Sequence, residues 1–218
     1  PETSKALGFG FRCGFLGLLH MEIIKERLHR EYGLDLLITS PNVIYRLSKR
    51  DGGFEEIDNP SLLPDVRTLD EVQEPYIKAT IILPSDMVGS IIQLCQEKRG
   101  ISIDMTYLGS TKVILTYELP LAEILYDFYD KLKSISKGHA SFDYEHIGYR
   151  EAELVKLEIL INSEEIDALA FMCHTDIAYY RGKAIIERLR KIIPRQMFEV
   201  PLQARVNGKI LVRENIKA

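Results

Sequence analysis

No apolar run in these 218 residues approaches the ~18 consecutive positions that a membrane-crossing helix needs. Cysteine is scarce: Cys13, Cys95 and Cys173 are odd in number and form no C-x-x-C pair, so neither a disulfide framework nor a zinc site is suggested, and Cys95 reads as a small core residue. Catalytic signatures are missing too. The chain has no G-x-S-x-G, no H-E-x-x-H, no G-x-G-x-x-G and no G-x-x-x-x-G-K-[ST], so no loop can hold a nucleotide with its magnesium. Asp104, Asp127, Asp130 and Asp143 fall in predicted secondary structure without a clustered partner. The chain is expected to be catalytically inert. Pro1 opens without an initiator methionine or signal-like segment, which reads as a piece cut from a longer cytoplasmic protein.

Net charge is only −4, a poor sign for a nucleic-acid binder, but its distribution is uneven. From Ile177 onward, ten Lys or Arg stand against three Glu, a balance of +7 that leaves −11 on the preceding residues. Such asymmetry is the footprint of a local polyanion site.

The densest local signal is glycine: Gly8, Gly10, Gly14 and Gly17 lead straight into an amphipathic stretch. Glycines there allow close packing of a helix start against a sheet, which Gly14 and Gly17 are expected to provide. The spacing predicts a helix over 15–32, with Leu16, Leu19, Ile23 and Ile24 as its apolar stripe and Gly33 as its stop. Strand-like runs follow at 34–39 and 42–48, the second half of a small sandwich. Residues 49–75 read as loop and linker. Beyond them come a strand at 76–83, a helix capped by Ser85 and ended by Gly100, a hairpin of 101–108 and 112–118 around Gly109-Ser110, a helix over 121–133 and a strand at 140–147. Strand, helix, strand, strand, helix, strand is the split βαβ, ferredoxin-like order. The last section has a strand at 154–161, a helix over 179–193 and extended runs at 198–206 and 209–212 joined at Asn207-Gly208. The fold class is α+β. It divides into a partial α/β sandwich (1–48), a linker (49–74), a βαββαβ domain (75–150) and an α+β C-terminal domain (151–218).

Tyr179-Tyr180-Arg181-Gly182-Lys183 interleaves rings with cations, the combination that stacks on exposed bases and neutralises phosphates. With Ile185, Leu189 and Ile192 as a buried stripe, Arg181, Arg188 and Lys191 fall on one flank and Lys183 with Arg190 on the other. On residues alone, a solvated amphipathic helix with half-buried tyrosines explains the pattern equally well. Arg195, Arg205, Lys209 and Arg213 add charge nearby. His20 reads as a packed or capping residue, and Cys173-His174 lacks further ligands for a metal.

Several segments, in order, carry a family likeness. G-F-R-C-G-F-L-G-L-L-H-M-E-I resembles the third domain of ribosomal translocation-type GTPases, and LepA in particular: elongation factor G has roughly G-M-G-E-L-H-L-E-I, with glutamate where Leu18 stands. Glu97-Lys98-Arg99-Gly100, the run from Thr116 to Glu123, Phe142-Asp143-Tyr144, Gly148-Tyr149-Arg150 and Ala178-Tyr179-Tyr180-Arg181-Gly182 are similar to LepA as well. The resemblance implies a parent GTPase acting on the ribosome in back-translocation or fidelity, with GTP and magnesium held by an N-terminal domain and no cofactor in these residues. It implies a fifth-domain ferredoxin-like fold and a C-terminal domain that approaches tRNA. The partners implied are the ribosome (its RNA and proteins) and tRNA; the site implied is Tyr179, Tyr180, Arg181, Lys183, Arg188, Arg190, Lys191, Arg195, Arg205, Lys209 and Arg213. A cytoplasmic parent, bacterial or organellar, with peripheral inner-membrane association is a further implication, for which no amphipathic anchor is seen. A protein-interaction module and a metabolite-binding regulatory domain remain as alternatives, because fold alone cannot choose between them.

Overall fold

A computed structural model describes residues 1–16, 18–39, 41–64 and 68–218, the side chain of Leu18 excepted. Its first elements are strands β1 (Glu2–Ser4) and β2 (Gly8–Gly10), helix α1 (Leu18–Tyr32), and strands β3 (Tyr45–Lys49) and β4 (Phe54–Ile57). A long strand β5 (Leu69–Pro84) follows, then α2 (Val88–Glu97), β6 (Ile101–Leu108), β7 (Lys112–Pro120), α3 (Leu121–Ile124), α4 (Phe128–Ile135) and β8 (Ser141–Glu151). The remainder is β9 (Leu154–Ile161), β10 (Glu164–Glu165), β11 (Phe171–His174), α5 (Thr175–Ile192), β12 (Val200–Val206) and β13 (Lys209–Ile216). Contacts divide the chain into two compact units. One holds Pro41–Lys156 and Phe171–Ala178; the other holds Pro1–Ser40, Leu157–Ala170 and Tyr179–Ala218.

In the first of these, the strands of the βαββαβ run lie in the order β8-β5-β7-β6, all antiparallel, and β3 and β4 extend the sheet along the N-terminal part of β5. This is the ferredoxin-like arrangement. Period-2 alternation builds it: Ile77, Ala79, Ile81 and Leu83 of β5 and Val113, Leu115, Tyr117 and Leu119 of β7 turn one way, onto Ile91, Leu94 and Cys95 of α2 and Phe128 and Leu132 of α4. Each of these large side chains contributes about 2 kcal/mol by leaving water. Val43, Tyr45, Leu47, Ile57, Leu69, Leu154 and Met172 form a second core. Strand β6, at the edge, is exposed along its whole length.

Several expectations need correcting. Residues 49–75 are not structureless: Gly52 (φ +85) turns β3 into β4, and β5 starts at Leu69. The apolar period was hidden because β4 buries only Ile57 and otherwise pairs charges across strands, Arg46 with Glu56 at 2.8 Å and Lys49 with Glu55 at 2.7 Å. Residues 34–39 form no strand, and Leu34, Leu36, Leu37 and Ile38 are exposed. The helix expected over 121–133 is broken into α3 and α4 at Asp127, whose carboxylate takes Lys98 at 2.6 Å and Lys131 at 2.7 Å. Burial opposes that charge, but the two lysines outweigh it and hold the carboxyl down to about 2. Ser85 does not cap α2; it opens a 3₁₀ turn and donates to the Ser110 carbonyl at 3.5 Å.

The end of α2 also differs. The left-handed residue is Arg99 (φ +59), while the Gly100 N–H closes back on the Cys95 carbonyl at 2.8 Å. Gly100 is required by space: a Cβ there would lie 2.7 Å from the Cys95 oxygen. Arg99 forks onto buried Glu74 at 2.6 and 2.9 Å and reaches Glu123 at 3.3 Å. Burial works against its charge, but the two carboxylates outweigh burial and strengthen it.

In the second unit, β10-β9-β12-β13 form an antiparallel sheet. Asp167 gathers the turn between β1 and β2, accepting from Ser4 Oγ at 2.9 Å and the Lys5 N–H at 2.8 Å. Desolvation opposes this carboxylate's charge, yet those hydrogen bonds prevail and lower its pKa. Helix α1 ends as expected, with Gly33 (φ +65) bonding back to His29. Its stripe is not buried: Leu16 is 95% exposed, Leu19 70% and Ile23 49%. Nothing lies within 4 Å of a Cβ at Gly14, so this glycine makes no close approach among the described residues; Gly17 lies outside them. His20, read as a packed or capping residue, accepts the Leu16 N–H at Nδ1.

Candidate nucleic-acid interface

Helix α5 starts earlier than its periodicity predicts, at Thr175, where the His174 ring accepts the Asp176 N–H at 3.3 Å. The row against the sheet of its own unit centres on Gly182 and Ile186, four residues apart on one face. Gly182 sits so close to β12 that a Cβ would stand 2.9 Å from Ala204 Cβ. Ile185 and Leu189 are therefore only half-buried at the margin, and Ile192, expected in the core, is 65% exposed.

The opposite face of α5 carries the cations. Tyr180 is 71% exposed, its ring edge-on to Tyr179 at 5.5 Å, and Lys183, Arg188 and Lys191 are exposed with it. Tyr180 and Lys191 differ by eleven residues, about 16 Å along the axis and close to the same azimuth. Lys183 approaches Glu187 only to 3.9 Å, an exposed pair worth roughly 0.3–0.5 kcal/mol and easily given up. Arg188, Lys191 and Arg195 make no ion pair among the described residues.

Other predicted site residues go elsewhere. Arg190 is held by Glu214 at 3.0 Å. Ala204 faces α5, so its neighbour Arg205 lies on the far side of the sheet, where Glu158 at 2.6 Å and Glu165 at 3.4 Å neutralise it. Arg213 pairs in register with Gln203 and shares that far side. Lys209 follows the turn at Asn207 (φ +49) and Gly208 (φ +78), and Arg181 is half-buried. The expected single cluster is thus divided: Tyr180, Lys183, Arg188 and Lys191 are exposed on α5, Arg195 follows in the next loop, Arg190 and Arg205 are paired, Arg213 lies on the far side of the sheet, and Lys209 stands at the β12–β13 turn. Sequence reasoning missed Met197 and Phe198 in that loop, 98% and 59% exposed; the usable signal was an apolar pair in a Pro-led loop beside cations.

In the ferredoxin-like unit, an open cleft of about 450 Å³ is lined by Tyr76, Arg99, Glu151, Ala152, Glu153 and His174. Its walls are largely charged, without the apolar lining typical of metabolite sites. No group of metal-binding side chains occurs among the described residues.

Residues 71–160 match the family model for the elongation factor G C-terminus, and residues 161–218 match that for the GTP-binding protein LepA C-terminus. Over all 218 residues the chain is 59% identical to elongation factor 4 of Bacillus cereus (strain AH187) and 58% identical to elongation factor 4 of Shouchella clausii (strain KSM-K16). The chain belongs to the LepA (elongation factor 4) family. It spans 36% of the length of those relatives. A solved structure from Thermus thermophilus is similar over 38% of this chain and 12% of its own, with 26% identity and a TM-score of 0.35. In this LepA-family chain, helices α2 to α4 fall within the residues matched to elongation factor G. The exposed cationic face of α5 falls within those matched to the LepA C-terminus.

Proposed function

We propose that these residues are the ribosome- and tRNA-binding portion of a translation factor whose GTP and magnesium are held outside them, and that the face of α5 bearing Tyr180, Lys183, Arg188 and Lys191, with Arg195 beyond it, meets RNA. The parent is a ribosome-dependent GTPase acting in back-translocation or fidelity. It works in the cytoplasm or an organelle matrix, with any residence at the inner membrane peripheral; among the described residues no helix is long and apolar enough to cross a membrane. One observation carries the reading: Arg188, Lys191 and Arg195 are exposed and without carboxylate partners among the described residues, in a stretch of net charge +7. Unneutralised cations beside an exposed tyrosine suit phosphate contact with base stacking.

The test is salt-dependent binding to ribosomes and to a tRNA acceptor-stem hairpin. Each neutralised phosphate releases about 0.7 to 0.9 of a counterion, so affinity should fall steeply with salt. Replacing Arg188 and Lys191 together with alanine should flatten the slope by about one to two units with little loss of stability. Tyr180→Ala should cost about 1 to 3 kcal/mol of affinity at unchanged slope. An unchanged slope in the double variant refutes the α5 face. Ribosome binding without salt-dependent RNA binding, with cross-links from exposed β6 to protein, replaces this reading with a protein-interaction module.

A further inference from the structure

The loop from α5 to β12 spends apolar surface on solvent. Met197 is 98% exposed and Phe198 59%, and Ile192 at the helix end is 65% exposed. Yet the loop is anchored. The Ile193 N–H bonds Leu189 at 2.8 Å, Gln196 Nε2 donates to the Pro194 carbonyl at 3.3 Å, and Val200, two residues past Phe198, is 5% exposed in β12. A short loop fixed at both ends holds its tip outward.

Its surroundings select the occupant. Arg188 and Lys191 stand within one turn of Ile192, and Arg195 lies two residues before Met197, all three exposed; Glu199 is the one acid in the loop. An apolar tip ringed by cations fits an anion with a flat apolar face. Three side chains expose far less than the ~800 Å² per partner that a stable protein interface buries. A lipid surface would offer the same two chemistries, but the cations continue as a track along α5, about 16 Å from Lys191 to Tyr180. Cations running along the helix with a ring at each end suit a chain of phosphates with bases, not a plane of headgroups.

We propose that Met197 and Phe198 form a base-stacking wedge, which caps or separates an unpaired or helix-terminal nucleotide of the RNA lying along α5. Phe198 supplies the stacking face, Met197 the wedge, and Arg195 the adjacent phosphate contact. The proposal rests on the RNA reading of α5.

The probe is an RNA hairpin with a single-stranded 3′ overhang carrying 2-aminopurine next to the stem, compared with a blunt hairpin, titrated with the 218-residue chain. The wild type should prefer the overhang and change the 2-aminopurine fluorescence. Phe198→Ala should weaken overhang binding roughly tenfold or more, abolish that change and leave the salt slope intact, because it removes stacking and no charge. Phe198→Tyr should restore both. Circular dichroism should show both variants folded, the side chain being largely exposed. Salt-dependent binding with unaltered affinity and fluorescence in Phe198→Ala overturns the wedge alone. Absence of salt-dependent RNA binding by the wild type overturns the α5 reading beneath it. Sedimentation with phosphatidylglycerol vesicles that Phe198→Ala abolishes, with RNA binding untouched, overturns the wedge in favour of a lipid contact.

Discussion

Arg99→Met should be among the most damaging single changes in the ferredoxin-like unit. The guanidinium binds both oxygens of Glu74, which is 1% exposed, and one of Glu123, which is 5% exposed. Methionine keeps the apolar stem but strands two buried carboxylates, and breaking a buried ion pair from one side costs about 3–5 kcal/mol. The left-handed backbone at Arg99 offers no relief, because methionine bears the same strain of roughly 1–2 kcal/mol. Arg99→Gly would remove that strain and so should lose less, about 2–4 kcal/mol net. Against a typical domain stability of about 5–15 kcal/mol, either loss is large. Urea unfolding should show the lower midpoint at unchanged m value. The cycle with Glu74→Gln isolates the pair: the double variant should recover about 1–3 kcal/mol relative to additivity. A loss below about 1 kcal/mol in Arg99→Met, or strict additivity in the cycle, refutes the claim that this pair holds the end of α2 to β5.

Asp127 supplies an acid limb. Its carboxyl is held down to about 2 in the fold, against about 3.9 for an unperturbed aspartate, so its contribution is present above that ordinary value and lost as pH falls through about 2. The side chain is 44% exposed, which limits the contribution to under about 1 kcal/mol. Asp127→Asn should be less stable by that amount at pH 6 and converge with the wild type near pH 2 in urea melts; a constant gap across that range contradicts the assignment. Gly182→Ala sets a helix gain of about 1 kcal/mol against overpacking of about 1–3 kcal/mol on Ala204, so a net loss is expected by thermal melting, and a stabilised variant would show that the sheet yields.

Legibility in the sequence follows the range of the physics. The hairpins at Gly109-Ser110 and Asn207-Gly208 were readable because turn chemistry is local: Gly109, Asn207 and Gly208 all take positive φ where the sequence places them. The βαββαβ order was readable because β5, β7 and α2 carry clean periods. Residues 49–75 were not, because β4 has one buried side chain and its stability comes from cross-strand pairs. The rotation of α5 was also hidden. A stripe of Ile185, Leu189 and Ile192 has correct helical spacing, but the close approach at Gly182 centres the Gly182-Ile186 row instead, and only a contact 22 residues downstream, at Ala204, decides between them.

The same limit governs the site, and it changes what the salt titration should read. The ten cations from Ile177 onward suggest a slope near −7 to −9 if every one met a phosphate. Fold placement withdraws some of them: Glu214 lies 24 residues from Arg190 and Glu158 lies 47 from Arg205, separations that no helical or strand period reveals. Arg213 shares the far side of the sheet with Arg205. What α5 and its loop offer together is Lys183, Arg188, Lys191 and Arg195, for which the slope is about −3 to −4. A measured slope in that range makes the helix face and loop sufficient. A slope near −8 would mean that the ion pairs of Arg190 and Arg205 open on binding and that Arg181, Lys209, Arg213 and Lys217 reach phosphates as well, so that charge counted along the sequence had been the better guide than charge displayed by the fold.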